Sequence, residues 1–505
     1  PILCNCLRNR IKSCGMGRSY VKICVVGGGT AGFVAALILK KSYPTFTVDI
    51  LRSSKIGTIG VGEGSTEHWS AFMDFCGIQA GDLIKNTDAT FKSGIMFQNW
   101  SKRDFLQSVH DPFVSEHLGM PMMYAKLIKD NPHPKELVGA YTWESHLPFN
   151  KFMEENINDT GVSQYHFNTH KLNDFLTAKA IELGCNVIDD EVQDVILNDL
   201  GYVKKLQSKD NTYEYDFYVD STGFSRLLIN KLGAKWQSYS KYLKMKEAIV
   251  FPTAEEEELP LWTVARAMNS GWMFRIPVWG RKGNGYIFDS DFITPDQAHV
   301  EVETYLGHGV QIAKHLKFDP GALDKPWIKN VCAIGLSASF VEPLEASSIG
   351  TSINQSFLLA SRILNYNTKS IDRYNKEVDS IMNNIRDFIV LHYITNRTDT
   401  QFWTHLQTAE IPDSLANNMD MWKTRLPISD DFTDCTSKIL FNEYNYILVL
   451  YGLGLIDTGS VRYQYESIPK EAKFFADQAL ENKLEHDKLK TIPHKMMIDL
   501  IRRIA

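Results

Sequence analysis

The chain has 505 residues, of which 44% are hydrophobic and 23% charged, with 54 basic and 60 acidic side chains. This composition supports a sizeable hydrophobic core and excludes global disorder, and the length allows about three domains or one large enzyme body with insertions. A net charge of −6 disfavours nucleic acid or an anionic membrane as a partner, and no apolar run approaches the ~20 residues of a membrane span.

The N-terminal residues 1–19 differ from the rest of the chain, and we expect them to be an extension outside the fold. They are basic but lack the apolar segment of a secretory signal, which favours a cytoplasmic protein. None of the 8 cysteines of the chain shows a paired CxxC spacing. We therefore predict reduced cysteines and no metal site.

The first predicted element is a strand–turn–helix unit. A β-branched strand over residues 21–26 precedes a glycine-rich turn, an apolar helical segment covers 33–39, and a second strand covers 47–51. The turn fits G-x-G-x-x-G in the required context, which predicts a dinucleotide site with the pyrophosphate on the helix N-terminus. The turn residues are Gly27, Gly28, Gly29, Thr30, Ala31 and Gly32.

The end of the second strand leaves the choice of dinucleotide open. An acidic residue is expected there to bind the adenosine ribose, but the chain has Arg52. An arginine at this point fits either the 2′-phosphate of NADP or a cation–π contact with the adenine. This unit alone therefore does not distinguish a flavin from a nicotinamide cofactor.

The middle of the chain alternates short strands with loops, and helices dominate after residue 347. The strands suit an antiparallel sheet that forms a second layer of the same body; they cover residues 187–188, 192–197, 202–206, 215–220, 248–251, 272–277 and 285–288. Apolar residues at helical spacing cover 355–364, 371–393 and 493–504. We expect the last of these helices to pack on its own protein rather than on a partner or a membrane.

Four further motifs carry the chemistry. They are a second glycine-rich loop at residues 60–66, a Phe-Lys-Ser-Gly segment at 91–94, Gly-Trp-Met-Phe-Arg-Ile-Pro at 271–277, and the segment 334–349 that contains Glu-Pro-Leu-Glu-Ala-Ser-Ser. In this order, together with the first turn, they closely resemble the flavin-dependent halogenases of the tryptophan halogenase family. The resemblance extends from about residue 21 to residue 403.

The resemblance implies an α/β (α+β) protein with a flavoprotein-monooxygenase-like FAD-binding fold, in which a Rossmann βαβ unit and an antiparallel sheet are joined to a helical C-terminal part. Accordingly, residues 20–365 are predicted to form the FAD-binding module with interleaved substrate-binding segments. Residues 366–505 are predicted to form a mainly helical region that completes the substrate site.

The resemblance also implies a reaction and its partners. FADH2, supplied by a separate flavin reductase, would react with O2 to give a flavin hydroperoxide, and a halide ion (chloride, bromide or iodide) would convert it to hypohalous acid. The hypohalous acid would reach a lysine beside the substrate, where a small electron-rich aromatic, such as an indole or a phenol, is halogenated.

Specific residues match the functional positions of the family. Lys92 matches the lysine that would polarise hypohalous acid or form a haloamine, and Glu345 matches the glutamate that would orient the oxidant or accept the ring proton. Ser347 and Ser348 replace the usual Thr-Gly that binds halide at a helix start. The further FAD contacts implied are Gly60, Val61, Gly62, Glu63, Ser65, Thr66, Val192 on the first strand of the middle sheet, Leu336 and Ile349.

The chain departs from the family pattern in the shielding and substrate segments. Trp272 is kept, but Phe274 replaces the second tryptophan of the pair that separates the substrate from the flavin; its bulk should preserve the shielding. The aromatic segment of the substrate pocket, with His110 and Phe113, is one residue longer than usual. Residues 429–446 lack the cluster that clamps free tryptophan. These departures favour another indole, a phenol or a similar aromatic as the substrate.

Three other interpretations are compatible with parts of the sequence. A flavin-dependent aromatic monooxygenase (hydroxylase) would share the FAD fold but would not need Lys92 or the halide loop. An NADP-dependent reductase is favoured only by Arg52. A non-catalytic protein that binds FAD or a protein partner is suggested by the altered shielding and halide positions. The sequence does not determine the oligomeric state, and a homo-oligomer is compatible with it.

Overall fold

The computed structural model of the chain describes residues 21–57, 63–108, 120–149, 162–432 and 439–504. A six-stranded sheet forms one centre of the fold. Its strands, in spatial order, are Trp327–Ile328, Val331–Ala333, Phe217–Asp220, Lys22–Val26, Thr47–Arg52 and Asn186–Asp189. All neighbours are parallel except the first two.

The predicted βαβ unit lies in the middle of this sheet. Lys22–Val26 is buried along its last four residues, the continuous apolar pattern of a parallel strand that is covered on both faces. The helix Thr30–Ser42 follows the glycine turn and buries every residue from Gly32 to Leu39. The chain then returns as Thr47–Arg52, parallel to the first strand. The nucleotide turn is thus at the carboxyl edge of the sheet, where ligands bind in folds of this type.

A seven-stranded sheet forms the second centre. Its strands, in spatial order, are Lys314–Lys317, Glu247–Ala254, Arg281–Phe288, Gly271–Val278, Trp262–Met268, Gly94–Gln98 and Phe105–Gln107. Its neighbours are antiparallel except for the parallel pair formed by Trp262–Met268 and Gly94–Gln98. This parallel contact places the strand after the Phe-Lys-Ser-Gly motif next to strands from the middle of the chain.

The prediction of one antiparallel middle sheet is wrong, because its strands are distributed over three sheets. Asn186–Asp189 and Phe217–Asp220 belong to the six-stranded sheet, and the strands predicted at residues 248–251, 272–277 and 285–288 belong to the seven-stranded sheet. The strands Asp194–Leu197, Val203–Gln207 and Thr212–Tyr213 form a separate small sheet. Alternating apolar residues identify a strand but do not determine its partner.

Three small sheets complete the strand structure. In one, Gln164–Phe167 pairs with both Glu63–Gly64 and Thr90–Lys92. In another, Gly321–Leu323 pairs with Trp236–Ser238 and Ser339–Phe340. In the third, Thr491–Pro493 pairs with His146–Pro148. The first of these sheets joins the second glycine-rich loop to the strand of Lys92.

Helices cover the sheets and form most of the C-terminal part. Besides Thr30–Ser42, the α-helices are His68–Cys76, Ala80–Thr87, Met120–Ile128, Ala140–Trp143, Thr169–Glu182, Pro295–Leu306, Ser347–Ile363, Thr368–His392, Gln401–Leu406, Asp413–Trp422, Glu443–Leu453, Thr458–Ser467, Lys470–His486 and His494–Ile504. Short 3₁₀ helices cover Pro134–Leu137, Gly223–Ser225, Ile229–Leu232, Gly335–Ser337, Pro343–Glu345 and Ser429–Phe432. Across the described ranges, no helix is long and apolar enough to cross a membrane.

The last helix packs on its own protein, as predicted. His494–Ile504 buries His494, Met497, Ile498 and Ile501 and packs against the helix Ala80–Thr87. One hydrophobic cluster contains Met497, Ile498 and Ile501 together with Val25 of the six-stranded sheet, Trp272 of the seven-stranded sheet and Phe388 of the long helix Thr368–His392. The C-terminal helices therefore share a core with both sheets.

Candidate active site

At two positions of the first glycine turn, a side chain would collide with the backbone. Gly27 has a φ of +119°, and a Cβ at this position would lie 2.2 Å from the carbonyl oxygen of Ser221. A Cβ at Gly32 would lie 2.2 Å from the carbonyl oxygen of Gly27, whereas a Cβ at Gly29 would meet only open space. No side chain caps the helix that starts at Thr30. The turn therefore presents an open helix N-terminus, which fits a pyrophosphate.

Arg52 lies directly beside this turn. A Cβ at Gly28 would meet the Cβ of Arg52 at 2.7 Å, and one guanidinium nitrogen of Arg52 lies 3.4 Å from the Thr177 hydroxyl. The glycine at position 28 thus leaves room for the arginine side chain. The contact places Arg52 beside the nucleotide turn, at the position where an acidic residue that binds the adenosine ribose is otherwise expected.

Residues from the other predicted FAD segments meet the same turn. The Thr30 hydroxyl lies 3.1 Å from Asn173 Oδ1 and 3.5 Å from Glu63 Oε2 and can donate its one proton to either, and burial raises the pKa of Glu63 to about 7. A Cβ at Gly335, next to Leu336, would lie 2.5 Å from the Cβ of Ala31. Three segments far apart in sequence are therefore in contact here.

Two further residues predicted to contact FAD, Ser65 and Thr66, lie in the second loop, and Thr66 packs against the helix Ser347–Ile363. A Cβ at Gly350 would meet the Thr66 hydroxyl at 2.2 Å, which brings the second loop against the helix that contains Ile349. Ser65 is buried, and its hydroxyl accepts from the backbone N–H of Tyr165 at 2.9 Å. Val192 is half-buried and precedes the strand Asp194–Leu197, so its prediction on a strand is wrong. Gly60, Val61 and Gly62 lie outside the described residues.

Lys92 is completely buried at the end of its strand. Its Nζ donates to the backbone oxygen of Ser65 at 2.9 Å and to Gln164 Oε1 at 2.8 Å. Burial lowers the pKa of Lys92 to about 8, against the opposing charges of Glu345 and Glu67. An ammonium has three N–H donors, so one remains after these two bonds. Two hydrogen bonds therefore hold the Lys92 amine in place, its pKa lies close to neutral pH, and one N–H donor remains available.

Glu345 is also completely buried, at the end of the turn Pro343–Glu345. His392 Nε2 lies 2.8 Å from Glu345 Oε1, within ion-pair distance but without hydrogen-bond alignment. His392 Nδ1 contacts the carbonyl oxygen of Phe388 at 2.7 Å and therefore carries the proton that this bond requires. Both carboxylate oxygens of Glu345 lack a hydrogen-bond partner among the residues described. This carboxylate is available to a proton donor.

The helix Ser347–Ile363, the start of which is the predicted halide site, begins two residues after Glu345. Ala346 adopts a left-handed conformation (φ of +51°), and Ser347–Ile363 follows without a side-chain cap. Ser347 is buried and Ser348 is exposed, and both line a small cavity together with Gly335 and Thr351. A Cβ at Gly64 would lie 3.3 Å from Ala346 Cβ and 3.4 Å from Lys92 Cδ. The helix start, the second loop and Lys92 therefore meet at Gly64.

The two predicted shielding residues lie on one face of the strand Gly271–Val278. Trp272 is buried and donates its indole N–H to Glu342 Oε1 at 3.1 Å. The Tyr393 hydroxyl donates to the same oxygen. Burial raises the pKa of Glu342 to about 7, opposed by these two hydrogen bonds. A Cβ at Gly285 would meet Phe274 Cζ at 2.4 Å, so the Phe274 ring lies directly over a glycine.

The comparisons with known proteins agree with this geometry. The sequence profile described as tryptophan halogenase matches residues 22–465. The chain is 31% identical over 474 residues to KtzR, a 7-chloro-L-tryptophan 6-halogenase of Kutzneria sp. (strain 744), covering 86% of this chain and 90% of that protein. It is 28% identical over 508 residues to SttH, a tryptophan 6-halogenase of Streptomyces toxytricini, covering 91% and 96%. The structure of Tar14, a tryptophan C-6 flavin-dependent halogenase from taromycin biosynthesis, superimposes with a TM-score of 0.85 at 26% identity, covering 95% of this chain and 100% of that one.

The chain belongs to the tryptophan halogenase family. It is therefore an enzyme, a flavin-dependent halogenase of mixed α/β fold with a helical C-terminal part, and the predicted class and fold are confirmed. The hydroxylase interpretation is not favoured. Membership of the tryptophan halogenase family also implies the use of FAD and halide, and the glycine turn, the open helix N-terminus and the packed loops described above fit such a cofactor.

The described residues include only part of the predicted substrate segments. His110 and Phe113 lie outside the described residues, as do residues 433–438 of the segment 429–446. Around Glu345, His392 packs against Phe97 (ring centroids 4.8 Å apart) and Phe388 (4.9 Å). The described wall next to the candidate general base is thus aromatic.

Four residues of this site were not predicted from the sequence: Gln164, Glu342, His392 and His494. Glu342 was visible as the first glutamate of Glu-Pro-Leu-Glu, and its spacing from Glu345 was the available signal. The other three lie far in sequence from every motif. His494, in the last helix, accepts the backbone N–H of Phe91 at 3.1 Å through Nε2 and contacts the Leu259 carbonyl oxygen at 3.1 Å through Nδ1.

Proposed function

We propose that this protein is an FADH2- and O2-dependent halogenase of a small electron-rich aromatic, an indole or a phenol, rather than of free tryptophan. The observation that supports this is a buried lysine with one available donor close to a buried carboxylate whose two oxygens have no hydrogen-bond partner among the described residues. Flavin-dependent halogenases generally need a separate flavin reductase. We propose the same partner for this enzyme.

FAD would be held by the first glycine turn, Arg52, Glu63, Ser65, Thr66, Leu336 and Ile349, and when reduced it supplies the two electrons that activate O2. Ser347 and Ser348 would bind the halide through the N–H groups of the helix start, because this end of the helix carries partial positive charge. The undescribed Gly60, Val61 and Gly62 belong to the same proposed FAD loop, and we extend the FAD assignment to Val192.

Lys92 would bind hypohalous acid through its remaining N–H and polarise the oxygen–halogen bond. Its environment suits this task, because burial strengthens the hydrogen bond and a pKa of about 8 keeps the ammonium populated at neutral pH. Glu345 would accept the ring proton once the carbon–halogen bond has formed. Its unpartnered oxygens allow it to do so, and His392 limits the movement of its carboxylate.

Trp272 and Phe274 would separate the substrate from the flavin. Glu342 and Tyr393 hold the indole of Trp272 in one orientation, and Gly285 gives the Phe274 ring its space. Phe274 therefore fills this position although it lacks an indole N–H. We also propose His110 and Phe113 as substrate contacts.

The experiment is a turnover assay in which the purified protein, a flavin reductase, FAD, NADH and O2 are combined with a panel of indoles and phenols, plus free tryptophan. Chloride, bromide and iodide are supplied in parallel, and products are identified by mass spectrometry. We expect a mass increase by one halogen on at least one aromatic, and none with the Lys92→Ala variant. Hydroxylated products without halogen incorporation would contradict the proposal, as would preferred turnover of free tryptophan.

A further inference from the structure

Gln164 is the cross-strand partner of Lys92. The strands Gln164–Phe167 and Thr90–Lys92 are antiparallel, with Lys92 opposite Gln164. Directly opposed residues project to the same face, so the two side chains lie side by side. Gln164 is completely buried, and its Oε1 accepts from Lys92 Nζ at 2.8 Å.

This hydrogen bond determines the orientation of the Gln164 amide. An ammonium can only donate, so the atom of Gln164 that faces Lys92 has to be the oxygen. The amide nitrogen, Nε2, consequently points away from Nζ. It is buried and has no hydrogen-bond partner in the part of the chain that the structure describes. A buried donor that is left without a hydrogen bond destabilises the folded protein, which argues for a ligand at this point.

The two donors can reach one oxygen atom. Within an amide the oxygen and nitrogen are about 2.3 Å apart, so Nε2 lies at most about 5 Å from Lys92 Nζ. Two hydrogen bonds of about 2.9 Å bridge donors at any such separation. Lys92 uses two of its three N–H groups for Ser65 and Gln164, and the third remains. Lys92 and Gln164 together therefore offer two N–H donors to a single acceptor.

We propose that Lys92 Nζ and Gln164 Nε2 form a two-donor site for the oxygen of hypohalous acid, an inference that rests on the proposed function. The carbon–halogen bond forms as the halogen–oxygen bond breaks, and the electron pair of that bond stays on oxygen. The oxygen takes a proton from Lys92 and leaves as water, while the ring proton passes to Glu345. Negative charge develops on the oxygen during this step, and two donors stabilise it better than one.

A glutamine suits this position better than the alternatives. A glutamate would keep the acceptor for Lys92 but would lack the donor and add a negative charge next to the departing oxygen. A leucine would fill similar volume without either group. These two changes separate the contribution of the Nε2 donor from that of the hydrogen bond that holds Lys92.

The test compares Gln164→Leu and Gln164→Glu with the wild type. Product per FADH2 oxidised is measured by chromatography, and hypohalous acid that escapes is measured with a scavenger that becomes halogenated in solution. We expect product per FADH2 to fall about 10²-fold in both variants, the usual effect of removing one donor to developing negative charge. Escaped hypohalous acid should rise in proportion, with the rate of FADH2 oxidation unchanged.

Tyr165→Phe is the matched control, because residue 165 is on the same strand and projects to the opposite face. It should retain the wild-type ratio. Circular dichroism and the FADH2 oxidation rate establish that each variant is folded. If the Gln164→Glu variant keeps product per FADH2 within about twofold of wild type, the two-donor site is wrong. If the wild type itself halogenates no aromatic, the proposed function fails instead.

Discussion

Two buried polar clusters contain carboxyl groups three residues apart, Glu342 just before the turn Pro343–Glu345 and Glu345 at its end. The shielding cluster contains Trp272, Glu342 and Tyr393, and the reaction cluster contains Lys92, Glu345 and His392. Glu342 Oε1 accepts from both Trp272 and Tyr393, whereas Glu345 has no aligned hydrogen bond to a described residue. Both carboxyl groups are completely buried.

The difference shows that burial alone does not make a carboxylate reactive. The hydrogen bonds to Glu342 fix the Trp272 side chain in one orientation. Glu342 therefore has a structural role. The oxygens of Glu345 accept no hydrogen bond from the described residues, although His392 lies within ion-pair distance, and a buried carboxylate without hydrogen bonds is typical of a group that meets its partner during the reaction. The comparison can be tested by changing each cluster separately.

The largest effect is expected for Lys92→Ala. This change removes the buried amine of the reaction cluster, so halogenation should be abolished. FADH2 oxidation by O2 should continue, because the lysine acts after hypohalous acid has formed. Product and flavin oxidation are measured in the same reaction, with the exposed Lys85→Ala as control. Halogenation by Lys92→Ala at the wild-type rate would show that the assigned role is wrong.

Glu345→Gln tests the other half of the reaction cluster. The amide cannot accept the ring proton, so we expect kcat to fall about 10²-fold, the usual contribution of a positioned base. Glu345→Asp is the companion variant and should recover part of this loss because it retains a carboxylate. The rates are measured by single-turnover product formation. Equal rates for Glu345→Gln and the wild type would remove the base assignment.

Glu342→Gln tests the shielding cluster through stability. The pKa of Glu342 is raised from 4.5 to about 7. Between these values the folded state binds more protons than the unfolded state. The free energy of unfolding of the wild type should therefore fall as the pH rises through this window, by at most about 3 kcal/mol.

Glu342→Gln should lack this contribution, so its stability relative to wild type should increase between about pH 5 and pH 8. Chemical denaturation at both pH values measures the difference, and the exposed Glu485→Gln serves as control. Parallel pH dependence in Glu342→Gln and the wild type would mean that Glu342 is ionised throughout this range.

A smaller effect is expected for His494→Ala. His494, in the last helix, holds the strand that contains Lys92 through its hydrogen bond with Phe91. The change leaves the backbone N–H of Phe91 and the Leu259 carbonyl without their imidazole partners, which should cost about 1–3 kcal/mol of stability. Lys92 follows Phe91, so kcat should also fall several-fold. Thermal unfolding and turnover are compared with the exposed His308→Ala. Unchanged values for both would show that the last helix does not support the lysine strand.

The smallest effect concerns the halide. Ser347 and Ser348 keep the helix N–H groups that bind an anion, but they are no longer the Thr-Gly of the family. Bromide and iodide are more easily oxidised and less strongly hydrated than chloride. In competition at equal halide concentrations, brominated or iodinated product should at least equal chlorinated product, and the double change Ser347→Thr with Ser348→Gly should shift the ratio toward chloride. A wild-type product pool dominated by the chlorinated species would contradict this.

Local sequence was sufficient for several features that depend on neighbouring residues. The glycine turn with its strand and helix, the helix beginning at Ser347 and the helical C-terminal part were predicted, because turn geometry and helical periodicity are encoded within a few residues. Lys92 and Glu345 were selected through the resemblance, and the structure places both in one buried region. The roles assigned to them stay predictions.

Tertiary structure decided which distant groups meet. The middle strands were identified from their alternation, but their division among three sheets was not, because a period of two does not specify a partner strand. Gln164 faces Lys92 through strand register, His392 reaches Glu345 from the end of a long helix, and His494 reaches Phe91 across 403 positions of sequence. Such contacts depend on the packing of whole elements, and no local pattern of residues encodes them.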